Sequence, residues 1–142
     1  MEAMLFLDVA KKFLNIPSEA AYRSAVSRAY YALFHEASTF LLKLGFQTAR
    51  GPQAHGQLPA RFNNCGVDEG IQIARSLNDL HRQRIFADYD LTSGEFAAQF
   101  KSAIWIAKAE QTVLKLNTLA ASKKLCDQIR KGIRSYEEKL KA

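Results

Sequence analysis

Only two cysteines occur in 142 residues, Cys65 and Cys126, and neither has a partner pattern around it. Their isolation excludes a disulfide framework or a cysteine-based zinc site and leaves two reduced thiols. Long apolar runs are also missing: none approaches the roughly 18 residues of a membrane span, and acidic Glu2, rather than a basic segment, precedes the first apolar run. A cytoplasmic protein with no membrane partner is therefore expected. Alternating apolar and polar runs bounded by turns are absent, so no strand is predicted, and no internal repeat is evident. The three histidines are isolated and no acidic cluster has ligand spacing, so neither a metal nor any other cofactor is expected.

Charge is present, but unevenly. Of the net +6, the last twenty residues carry +4, from seven Lys or Arg against three Asp or Glu. A basic C-terminal helix can lie along a phosphate backbone, or can simply be a solvated face that keeps the chain dissolved.

Residues 18–44 organise the rest. They contain no Gly or Pro, and Ala21, Ala25, Ala29, Ala32, Leu33, Ala37, Leu41 and Leu44 recur at helical spacing. Ser18 after Pro17 offers a start and Gly45 a left-handed stop. A short amphipathic helix is predicted over 2–15, and residues 46–57, with two glycines and a proline, read as a loop. A brief helix follows near 58–64. Asp68 is the expected cap of another that runs to about Phe86. Thr92 or Ser93 opens the last long helix, with Phe96, Phe100, Ala103, Ile104, Ala107, Gln111, Leu114 and Thr118 along the side expected to face the core, and Trp105, Ile106 and Val113 widening it. The fold class predicted is all-α, an antiparallel up-and-down helical bundle of four to six helices. It divides into a bundle over 1–117 and a basic amphipathic helical extension over 118–142. Leu125, Ile129, Ile133 and Tyr136 of that extension form an apolar stripe that needs a cover, expected from a second copy of the chain.

Two segments concentrate reactive side chains. On the long helix Arg28, Tyr31 and His35 share nearly one face, and residues 80–90 pack two arginines, a histidine, two acids and a tyrosine together. Such groups form a site, or are polar tips of core residues satisfied by neighbouring helices. Arg84 and Asp88, four apart, can pair on one helix. His55 and His81 are outside candidates, with a solvated, unemployed imidazole as the default for each.

Ser27-Arg28-Ala29-Tyr30-Tyr31-Ala32-Leu33-Phe34-His35, followed by Arg82-Gln83-Arg84-Ile85-Phe86-Ala87-Asp88-Tyr89-Asp90, resembles the two signature segments of the HEPN superfamily. The second resembles its R-x-x-A-D-Y form through Arg84, Ala87, Asp88 and Tyr89. The resemblance spans about residues 3 to 117. It implies an all-α bundle, dimerisation, association with RNA or a nucleotide, and partnership with a minimal nucleotidyltransferase in a toxin and antitoxin pair. Ribonucleases of the superfamily resemble one another in an Arg, a polar follower and a His four to six residues beyond. Here Arg82 is followed by Gln83 but no histidine occurs after it, while Arg28 and His35 have the spacing with Ala29 in the polar position.

Cleavage of RNA needs a base for the 2′-hydroxyl and a cation for the phosphate. Arg28 and His35 are the catalytic candidates, and Tyr31, Arg82, Arg84, Asp88 and Tyr89 the binding ones. The expected function is a HEPN-like nucleotide- or RNA-binding module. An active metal-independent endoribonuclease toxin is the alternative, and a structural dimerisation domain the third reading.

Overall fold

The structure, a computed structural model describing residues 1–142, is an all-α bundle without strands. Six helices occur: α1 (Met4–Phe13), α2 (Glu19–Lys43), α3 (Ala54–Asn63), α4 (Asp68–Tyr89), α5 (Gln99–Ala120) and α6 (Lys123–Lys141), with a 3₁₀ turn at Gly94–Phe96. None is long and apolar enough to cross a membrane.

The long helix α2 is central, packing on α1, α4 and α5, while α3 lies on α4. Its small residues explain this place: Ala25, Ala29, Ala32 and Ala37 are fully buried and let neighbouring helices approach closely. It ends as its sequence predicts. Gly45 takes φ +100°, the Gly45 amide donates to the Leu42 carbonyl and the Phe46 amide to that of Leu41, a paired closure that satisfies two orphan carbonyls. Ser18 does occupy the cap position in extended backbone, but its hydroxyl makes no capping bond.

Four local expectations are corrected. Helix α3 begins at Ala54 inside the expected loop, because the left-handed Gly51 turns the chain and Pro52 needs no amide partner at a helix entrance. Asp68 is the first residue of α4 and Val67 its cap. Ser93 caps only the 3₁₀ turn, accepting from the Glu95 amide, and α5 starts later, at Gln99. The fourth correction concerns which side of α5 is buried. Phe96, Ile106 and Val113 are buried as expected, but Phe100, Ile104 and Leu114, expected in the core, are more than half exposed, and Ser102, Ala109, Thr112, Leu116 and Leu119 are buried in their place. The buried face includes two hydroxyls, and both are spent on backbone: Ser102 Oγ donates to the Tyr22 carbonyl and Thr112 Oγ1 to that of Lys108.

The stripe on α6 finds its cover within the chain. Ile129 and Ile133 are fully buried in the same apolar core as α2 and α4. Arg130 Nε donates to the Leu44 carbonyl, and Arg61 of α3 reaches Glu137 at 3.3 Å. At Gly132 the helix comes so close to the α3–α4 turn that a Cβ there would stand 1.9 Å from the Cys65 carbonyl oxygen. A second copy is therefore not required to cover this stripe.

Candidate functional site

The two signature segments lie face to face, one on α2 and one at the end of α4. Tyr31 of α2 is the shared surface: the Arg28 guanidinium lies 5.2 Å from its ring centre and that of Arg84 5.3 Å. Arg28 also covers Phe6 of α1 at 5.1 Å, and Arg84 covers Tyr89 at 5.8 Å. These are cation–π distances, and they hold two like charges on one aromatic platform.

The two arginines keep most of their donors unspent. Arg84 Nε is 3.1 Å from Asp88 Oδ2, an ion pair too poorly aligned for Nε to donate a hydrogen bond. Asp88 Oδ2 also accepts from Ser27 Oγ at 3.3 Å, which ties the carboxylate back to α2. Arg28 has no carboxylate partner, and its single hydrogen bond, to Ser27 Oγ, is long at 3.4 Å. An anion arriving here meets guanidinium groups ready to donate.

The last turn of α4 is held by a residue that sequence reasoning missed. Arg23 is buried on α2, with Nη1 donating to the carbonyls of Phe86, Ala87 and Asp90 and Nη2 to that of Ser93. A cation at a helix C-terminus satisfies carbonyls that have no partner within the helix. Its visible signal was only Glu19 four residues earlier, whose Oε1 accepts from Arg23 Nε and Nη2.

Histidines supply the second correction to the expected site. Because α3 starts at Ala54, His55 stands on its first turn and its Nδ1 lies 2.6 Å from the Tyr30 hydroxyl. Burial pushes the Tyr30 phenol well above its ordinary range, with the negative charge that Tyr31 can carry adding to it and Arg84 opposing, so the phenol stays protonated. That bond holds the His55 ring against α2. The His81 ring stacks on His55, with centroids 4.8 Å apart and planes 9° apart. Neither is the idle solvated imidazole expected from sequence. His35 stands apart from this pair, exposed and stacked on Phe6 at 5.8 Å, with its ring 6.2 Å from that of Tyr31. Arg82 does not join the group: it pairs with Asp79 on its own helix at 3.6 Å, and its side chain is 63% exposed.

All three imidazoles titrate below their usual range. Loss of hydration is the first cause in each, from burial at His55 and His81 and, at the more exposed His35, from the Phe6, Tyr31 and Phe34 rings beside it; Arg28 adds to it at His35, Arg84 at His55, and His55 followed by Arg84 at His81. Acid therefore works against the fold. Below about pH 6.5 the unfolded chain takes up protons that the folded histidines refuse, so stability falls as pH drops through that value and levels off once the folded histidines also titrate. Urea midpoints measured from about pH 7.5 down to 5 should show this decline, and His55→Gln with His81→Gln should flatten it. An unchanged slope in the double variant would assign the decline to other groups.

No family model matches the chain. No solved structure matches it either. A relative, Uncharacterized protein MJ0992 of Methanocaldococcus jannaschii, is 29% identical over 131 residues, spanning 79% of this chain and 74% of the relative. That similarity supplies no chemistry, so a functional reading rests on the geometry of the site itself.

Proposed function

We propose that the Arg28–Tyr31–Arg84 face binds the phosphate of RNA or of a nucleotide, in a cytoplasmic HEPN-like module that works with a minimal nucleotidyltransferase as a toxin and antitoxin pair. The observation that carries it is the pair of guanidinium groups held over one tyrosine with their donors unspent. Guanidinium suits a phosphate because its planar fork donates two parallel bonds, and the exposed ring of Tyr89 offers stacking surface for a base. Homodimerisation belongs to the same reading, and the exposed Phe100, Ile104 and Leu114 on α5 support it.

Endoribonuclease action is the second reading, favoured by His55. A neutral imidazole held by Tyr30, stacked on His81 and under the influence of Arg84 is an oriented proton-transfer group beside a phosphate-binding cation. His35 beside Arg28 remains the other candidate for base or acid.

The test is binding and cleavage of a short oligoribonucleotide by a matched set of variants. Arg84→Ala and Arg28→Ala should each weaken binding by roughly tenfold, with a loss that shrinks at higher salt, because each removes a charge-assisted contact. Arg82→Ala should leave binding nearly unchanged. Equal losses from Arg82 and Arg84 would overturn the assignment of the face. Wild-type cleavage that His55→Ala abolishes while affinity persists would establish the second reading, and cleavage lost instead with His35→Ala would move the chemistry beside Arg28.

A further inference from the structure

His35 separates the arginine face from a second polar hollow. This hollow, of about 320 Å³, lies between α2 and the segment that follows Gly45, and is lined by His35, Ser38, Thr39, Gln47, Thr48 and Arg50, with Leu42 its one apolar residue. No carboxylate lines it, and Arg50 has no acidic partner anywhere in the chain. Ser38 Oγ and Thr48 Oγ1 are shielded from solvent and have no hydrogen-bond partner within the protein. A hydroxyl in that condition is costly unless something else accepts its proton. Both residues line the hollow.

The loop that forms one wall is not slack. Arg61 Nη1 donates to the Gln47 carbonyl at 2.7 Å, and the Ala49 amide donates to Gln57 Oε1 at 2.8 Å. Thr48 and Arg50 are thus presented from a backbone anchored on both sides to α3. Two unspent hydroxyls, an amide, an imidazole and an unpaired guanidinium without a carboxylate form a set of donors with no competing anion.

We propose that this hollow is an oxyanion site that takes a phosphate group, with Arg50 supplying the charge and Ser38 and Thr48 the neutral donors. It rests on the RNA- or nucleotide-binding reading for the source of the phosphate, though not for its chemistry. Ser38 follows Tyr31 by seven residues on α2, about 10 Å along the axis at 1.5 Å per residue. A strand bound at Arg28 and Arg84 therefore runs past His35 and sets a further phosphate against Arg50. Free phosphate, or the phosphate of a mononucleotide, is the other source of the same chemistry.

The experiment is an amide and imidazole NMR titration of the full chain with inorganic phosphate, and separately with a hexauridylate, for the wild type, Arg50→Ala and Arg84→Ala. Phosphate should shift the Gln47 to Arg50 amides; Arg50→Ala should remove those shifts and Arg84→Ala should keep them. Hexauridylate affinity should fall by a factor of roughly 3 to 10 in Arg50→Ala, with the salt slope smaller by about one. Thr48→Val, which keeps the shape and removes the hydroxyl, should weaken phosphate binding in the same direction. Phosphate shifts with hexauridylate affinity indifferent to Arg50 would keep the oxyanion site and assign it to free phosphate. Phosphate shifts in a wild type that binds no hexauridylate would overturn the RNA reading while the site stands. Absence of shifts in the Gln47 to Arg50 segment with either probe, or shifts that survive Arg50→Ala, would overturn the proposal.

Discussion

Arg23→Met should lower the stability of the chain by about 3 to 5 kcal/mol, as expected when one partner is removed from a buried network of charged hydrogen bonds. For a chain of this size that is a fall of roughly 10 °C or more in melting temperature. The side chain is only 8% exposed, and its guanidinium serves four backbone carbonyls as well as Glu19. Methionine fills much of the space, so the loss comes from stranded carbonyls and from a stranded Glu19, which is itself 45% exposed and so contributes little. Arg23→Lys should recover part of the loss, since an ammonium keeps the charge but cannot reach all four carbonyls in the plane of a fork. Urea unfolding read by circular dichroism decides it. A loss below about 1 kcal/mol would mean that water takes over the carbonyls and that the network is not what holds the end of α4. Binding should fall with stability, because Asp88 and Tyr89 ride on the turn that Arg23 ties down.

Gly132→Ala should destabilise the chain, although alanine in a helix interior ordinarily gains about 1 kcal/mol over glycine. The added carbon would meet the Cys65 backbone at 1.9, 2.4 and 3.0 Å, and backbone atoms cannot swing aside as a side chain can. Either α6 lifts from the α3–α4 turn or the turn deforms, at a cost of about 1 to 3 kcal/mol or more. Lifting would expose Ile129 and Ile133, both fully buried, at up to about 1.5 to 3 kcal/mol each. Gly56→Ala on α3 is the control, because nothing lies within 4 Å of its Cβ position. The two substitutions share one chemistry and should have opposite signs in thermal melts. A stabilised Gly132→Ala would show that α6 has room to shift.

Much of the bundle was legible in the sequence because α2 is unambiguous: small residues at helical spacing, no breaker within, and a glycine where the helix stops. The approach of Arg28 and Tyr31 to Arg84, Asp88 and Tyr89 was legible for a different reason, the pairing of two distinctive segments. What failed had physical causes. His55 was hidden because Gly51, Pro52 and Gly56 look like a loop, whereas Gly51 and Pro52 lead into a helix. The core face of α5 was mistaken because its buried side uses Ser102 and Thr112, polar in composition but bonded to backbone, while Phe100 and Ile104 stand outside. Arg23 was invisible because its partners are carbonyls, which every residue possesses.

Cys65 turns the close contact at Gly132 into a clock. Its thiol is fully buried and pushed up in pKa chiefly by that burial, while Cys126 on α6 is partly exposed. An alkylating reagent in excess should therefore modify Cys126 promptly and Cys65 only during transient openings, each tenfold delay relative to a free thiol corresponding to about 1.4 kcal/mol of opening free energy. Compared with the global unfolding energy, that delay tells whether the C-terminal helix undocks alone or leaves only when the whole bundle does.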